Sequence, residues 1–179
     1  MNSFETGISA DSVDTVHPIL RPITKLREID QFNSAIIYSK GASVLRMTEF
    51  VMGTEKFYAA LRVYLQVNAY KNVRETDLFK QLDAQFPTDF APITATSYLN
   101  NWIKEKGFPY ITLTREGNNY RVKQQRFLFS GSGDTSTLWT VPISFYTDQK
   151  WSGSSIRFLT DAENAHTFSP HFPNMCGVV

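Results

Sequence analysis

The sequence predicts an α+β fold on three observations. Between Phe32 and Ile103 apolar residues recur at helical spacing; after Phe108-Pro109 the period falls to two; and Gly107 stands at the change. The expected organisation is a helical part over residues 1–107 and a β-rich part over 108–179, the latter belonging to an antiparallel β-sandwich with an irregular tail.

The elements follow in chain order. Residues 1–31 read as a helix end and a connector, since Pro18 and Pro22 each disfavour helical geometry in the residue before them. From Phe32 to Met52 a helix is expected, with Ile37, Val44, Leu45 and Val51 on its apolar side and small Gly41 and Ala42 between them. Gly53-Thr54 should end that helix and start the next, the Thr54 hydroxyl capping the free amides. Phe57, Leu61, Tyr64 and Leu65 then form an amphipathic stripe. A third helix should begin at Thr76 or Asp77, bury Leu78, Phe79, Leu82 and Phe86, and close at Pro87. The fourth carries Tyr98, Leu99, Trp102 and Ile103, with Gly107 as its C-terminal cap. Beyond it, Ile111 and Leu113 alternate with threonines, Gly117-Asn118-Asn119 forms a turn, and Tyr120 and Val122 alternate with Arg121 and Lys123. Residues 130–134 (SGSGD) read as a loop, Trp139 to Phe145 as a strand, and Ile156 with Phe158 as another. Residues 161–179 show no period.

Composition narrows the function classes. The chain has 179 residues, 18 Lys+Arg against 17 Asp+Glu and a formal net charge of +1, with 42% hydrophobic and 20% charged residues. Such a chain can bury a substantial core, and long disorder is not expected. Near-neutrality argues against nucleic-acid binding, which needs a basic face to displace counterions. No apolar run reaches the roughly 18 residues of a membrane span, and the N-terminus shows no basic segment leading into an apolar one. The lone Cys176 excludes an internal disulfide framework and a thiolate-rich metal site.

The residues give little chemistry on their own. His17, beside Pro18, reads as a structural hydrogen-bonding residue, and His166 and His171 as tail residues without the helical i, i+4 spacing of a zinc pair. There is no H-E-x-x-H run and no G-x-S-x-G elbow, and Cys176 has no neighbour to lower its thiol pKa. By period alone Tyr38 is a half-buried core tyrosine.

One stretch is more specific. Residues 32–47 (FNSAIIYSKGASVLRM) resemble the helix that follows the metal-binding helices in zinc aminopeptidases of the aminopeptidase N family. Ala10-Asp11-Ser12-Val13 and Val16-His17-Pro18-Ile19 resemble segments upstream of it in that family. Leu61 to Tyr70 resembles a later motif, and residues 102–112 (WIKEKGFPYIT) the junction between the catalytic domain and a β-sandwich. The likeness runs in order over roughly residues 8–145.

The resemblance implies the helical C-terminal part of a thermolysin-like catalytic domain followed by an incomplete β-sandwich. It implies a parent that cleaves N-terminal residues from peptides at a zinc ion, probed by one tyrosine beside the zinc-bound carbonyl, here Tyr38. Phe32 would line the pocket for the substrate's first side chain. Lys40, Gly41 and Ala42 are expected on the helix surface or in close packing, without a chemical role. The family's zinc ligands and general base have no counterpart in these residues. The expectation is therefore an internal piece of a longer enzyme that alone binds no zinc and is inactive. Its partners would be peptide substrates and the remainder of the parent, whose place would be the extracellular face of the plasma membrane. An uncovered sandwich face and open strand edge predict poor solubility. The alternative is a non-catalytic protein-binding module on the same scaffold.

Overall fold

The computed structural model describes residues 3–25, 28, 36–146, 154–162, 165–168 and 177–178. Helices occupy the first part and antiparallel strands the second, an α+β arrangement. The chain divides into two compact units: residues 1–10 with 17–106, and residues 11–16 with 107–179.

The helical unit opens with α1 (Ser3–Asp11) and reaches a π-helical turn at Ile36–Lys40, which runs directly into α2 (Gly41–Met52). The expected single helix thus begins, among the described residues, with a wider turn. Gly53, at φ +80°, breaks the chain direction, and α3 (Thr54–Val67) follows. Thr54 does not cap α3: it is the first helical residue, and its hydroxyl donates to the Glu49 carboxylate at 3.2 Å. Only Phe57 and Ala60 of α3 are buried, so the expected stripe is covered at its start while Leu65 stays 66% exposed.

The α4 helix (Glu75–Asp83) starts where the Arg74 amide donates to the Asp77 carboxylate, and it buries Phe79 and Leu82. After Pro87, α5 (Ala95–Lys104) begins at Thr94, whose hydroxyl accepts from the Ser97 amide at 3.1 Å while the Ser97 hydroxyl accepts from the Thr94 amide. The Asp83 carboxylate accepts from the Thr96 amide at 2.9 Å, an anion at the positive end of α5. The helix ends at Lys104, with the Glu105 amide bonded to the Asn101 carbonyl; Gly107 lies beyond this end and is not its cap. Within this unit α2 packs on α3 and α5, and α4 bridges α3 and α5. Val51, Met52, Phe79, Leu82, Tyr98 and Leu99 are the centre of the apolar core.

Among the described residues the second unit holds two three-stranded antiparallel sheets. In the first, β1 (Pro109–Glu116) and β2 (Asn119–Arg126) form a hairpin in which Glu116 faces Asn119, with Gly117 at φ +64° opening the two-residue turn. A further strand, β5 (Ala165–Phe168), pairs with β2. The second sheet has the order β4-β3-β6, from β3 (Val141–Tyr146), β4 (Ser154–Leu159) and the two-residue β6 (Gly177–Val178). The expectation of an aperiodic tail is corrected at β5 and β6: four and two residues are too few for alternation to register.

Alternate residues of β2 face inward, and two of them are polar. Val122, Gln124 and Arg126 are buried. The Gln124 carboxamide accepts from the Trp139 amide at 2.8 Å and donates to the carbonyls of Trp139 and Thr160 at 2.9 and 3.0 Å. Those groups lie just past the end of the β3–β4 ladder, where Val141 pairs with Leu159. One side chain therefore supplies the bonds that a continued ladder would have supplied. Arg126 donates to the Asp14 carboxylate and to the Asp134 carbonyl, both at 3.1 Å. Gly107, at φ +85°, passes so close that a Cβ there would stand 2.6 Å from Arg126 Nε. Its amide donates to the Asp11 carboxylate at 2.9 Å.

Candidate functional site

The π-helical turn Ile36–Lys40 presents Tyr38 outward and buries Ile36, Ser39 and Lys40, with Ile37 half-buried. Ile36, Ser39 and Lys40 are 3%, 7% and 6% exposed, whereas Tyr38 is 66% exposed. A five-residue π-helical turn is uncommon and is found disproportionately at functional sites, because its extra residue re-aims the side chains around it. The turn is tied on its inner side. Lys40 Nζ donates to the Glu105 carbonyl at 2.9 Å, and the Ser43 hydroxyl donates to the Ser39 carbonyl at 2.8 Å. The α1 helix passes so near that a Cβ on Gly7 would stand 2.9 Å from Ser39 Cβ. The geometry is a rigid inner face with a phenol on the outer one.

Lys40 therefore departs from the surface position expected of it. Its aliphatic stem is buried and its ammonium is committed to a carbonyl at the end of α5. The spacing already pointed inward, since Lys40 stands three residues after Ile37 and four before Val44; only the residue type argued for solvent.

The other candidate residues are not gathered around Tyr38 by any described contact. Phe32, His171 and Cys176 lie outside the described residues. His17 Nδ1–H donates to the neighbouring Pro18 carbonyl at 2.9 Å. His166 belongs to β5, opposite Val122, rather than to an irregular tail. Among the described residues no three His, Cys, Asp or Glu side chains come together as a metal site. Among them, too, no helix is long and apolar enough to cross a membrane.

The second tyrosine of note lies in the helical core. Tyr98 is fully buried, and burial pushes its phenol well above its ordinary value of 10.0, opposed by a hydrogen bond with Thr48. It is a neutral core group, in contrast to the outward Tyr38.

Comparison with known proteins gives consistent relatives. The model of the peptidase family M1 domain matches residues 1–102. Aminopeptidase M1-D of Oryza sativa subsp. japonica is 33% identical over 144 residues, which are 80% of this chain and 16% of that protein. Leucyl aminopeptidase of Saccharolobus solfataricus is 30% identical over 163 residues, 91% of this chain and 20% of its own length. Endoplasmic reticulum aminopeptidase 1 of Homo sapiens is 27% identical over 167 residues, 80% of this chain and 18% of its own. The chain thus spans a fifth or less of the length of these three relatives.

Proposed function

The chain belongs to peptidase family M1, and from that premise we propose that it is the part of a zinc aminopeptidase that presents a transition-state tyrosine to the peptide substrate. The parent hydrolyses N-terminal residues from peptides. Tyr38 donates its phenolic hydrogen to the oxygen of the scissile carbonyl as that oxygen gains negative charge. A phenol suits this role, because it is a neutral donor at pH 7 and its strongest hydrogen bond is to an oxyanion. The observation that carries the reading is the exposure of Tyr38 on a turn that buries Ile36, Ser39 and Lys40.

Zinc, when bound by the parent, would polarise the carbonyl and activate water. The described residues hold no set of ligands for it, so no step is assigned to a metal on this chain. By itself the chain is expected to bind no catalytic zinc and to turn over no peptide. Phe32 is assigned to the wall of the pocket for the substrate's first side chain. The name of the human relative places that protein in the endoplasmic reticulum. We assign the parent of this chain to the same side of the membrane system, at the extracellular face of the plasma membrane.

A chimera tests the assignment. The chain would replace the matching stretch of the Saccharolobus leucyl aminopeptidase, and hydrolysis of an aminoacyl-anilide would be followed. Tyr38→Phe should lower kcat by about 10²–10³-fold with KM little changed, the loss typical of an oxyanion donor. Full turnover by the phenylalanine variant refutes the role.

A further inference from the structure

We propose that Lys40 is a positioning residue for Tyr38: its bond to the end of α5 holds the π-helical turn in the register that points the phenol outward. Only the kinetic arm of the test below rests on the catalytic reading of Tyr38.

Lysine is costly to desolvate unless its ammonium is satisfied, and Lys40 is 6% exposed. Its Nζ donates to the Glu105 carbonyl at 2.9 Å, across 65 residues of sequence. Glu105 is the residue at which α5 stops. The last carbonyls of a helix lack intrahelical donors, and the aligned peptide dipoles concentrate negative potential there. An ammonium is thus doubly suited to the position, as donor and as cation.

The turn is held from a second direction. Gly7 of α1 leaves no room for a side chain against Ser39, and Ile36 is buried on the same inward side. Residues two apart on a helical turn lie on opposite sides of its axis, and residues four apart on the same side. With Ile36 and Lys40 both held inward, Tyr38 midway between them is directed outward. The outward phenol and the Lys40–Glu105 bond therefore belong to one register.

The test uses the 179-residue chain labelled with 3-fluorotyrosine, the Tyr38 resonance being identified by its loss in Tyr38→Phe. In Lys40→Met the Tyr38 fluorine resonance should move beyond its linewidth, and amide exchange over residues 36–43 should rise about tenfold or more. Lys40→Arg, which keeps a cationic donor, should restore both. A folded Lys40→Met chain with an unmoved resonance and unchanged exchange overturns the proposal. If Lys40→Met does not fold, the unaltered chain decides. A held ammonium gives a slowly exchanging proton–nitrogen correlation for Lys40 at neutral pH, and its absence overturns the proposal. In the chimera, Lys40→Met should lower kcat by up to about 10²-fold at similar KM, as misplacement of a working group does, with Lys40→Arg recovering most of it. If Tyr38→Phe leaves turnover intact while the Lys40→Met fluorine shift is seen, the catalytic reading fails and the positioning of the ring by Lys40 stands.

Discussion

Tyr98 shows what burial does to a single ionisable group. Its phenol is pushed up by desolvation, so the folded chain holds that proton at a pH where the unfolded chain has released it. The resulting stability is complete below the unfolded value of 10.0 and is lost as pH rises above it. Urea melts should therefore show a drop in stability above about pH 10 that Tyr98→Phe largely removes. At neutral pH that variant should change stability by no more than about 1 kcal/mol, since the ring that fills the core is kept. A slope of stability against pH that is the same in both chains would contradict this assignment. The burial of Tyr98 could be read from its helical spacing with Leu99 and Trp102. The burial of Lys40, Gln124 and Arg126 could not, because residue type argues for solvent and only a specific partner reverses that. Tyr38 was legible only through its motif; it lies seven residues before Leu45, which was expected on the apolar side and is likewise exposed.

At the scale of elements, the starts of α3 and α5 differ although both carry a threonine. Thr94 precedes α5 and exchanges hydrogen bonds with Ser97; Thr54 is already helical and donates to Glu49. Thr94→Ala should cost about 1 kcal/mol in urea denaturation, and Thr54→Ala less than half of that. Equal losses would mean that Thr54 caps α3 after all. The α4 helix already ends at Asp83, and Pro87 does not close it. The helix boundary at Gly53 was readable, because that residue acts through the backbone alone. The π-helical turn was not, since the apolar spacing on either side of it is that of one continuous helix. Nor was β5, whose Ala165 and His166 carry no strand signature and which forms by pairing with β2.

For the whole molecule, the sheet edges govern behaviour in solution. Among the described residues β1 is paired on one side only, and it leaves Tyr110 and Leu113 57% and 40% exposed. The backbone edge of this strand is thus open, a template for a second chain. Leu113→Lys should raise the concentration at which light scattering first detects association, without lowering the midpoint of unfolding. An unchanged threshold would place the self-association elsewhere, for instance on α3 around Leu65. The division of helical and β-rich regions was legible from the change of period, but the joining of the two sheets was not. It falls to Gln124, a buried amide bonded to main-chain groups beside the other sheet. That side chain has a bearing on how the sequence can drift in length. A residue inserted in the loop between β2 and β3 is absorbed by open turns, whereas one inserted within β2 before Gln124 would put a lysine where the carboxamide now meets three main-chain groups. Indels should therefore accumulate at residues 129–136 and be excluded from 119–126.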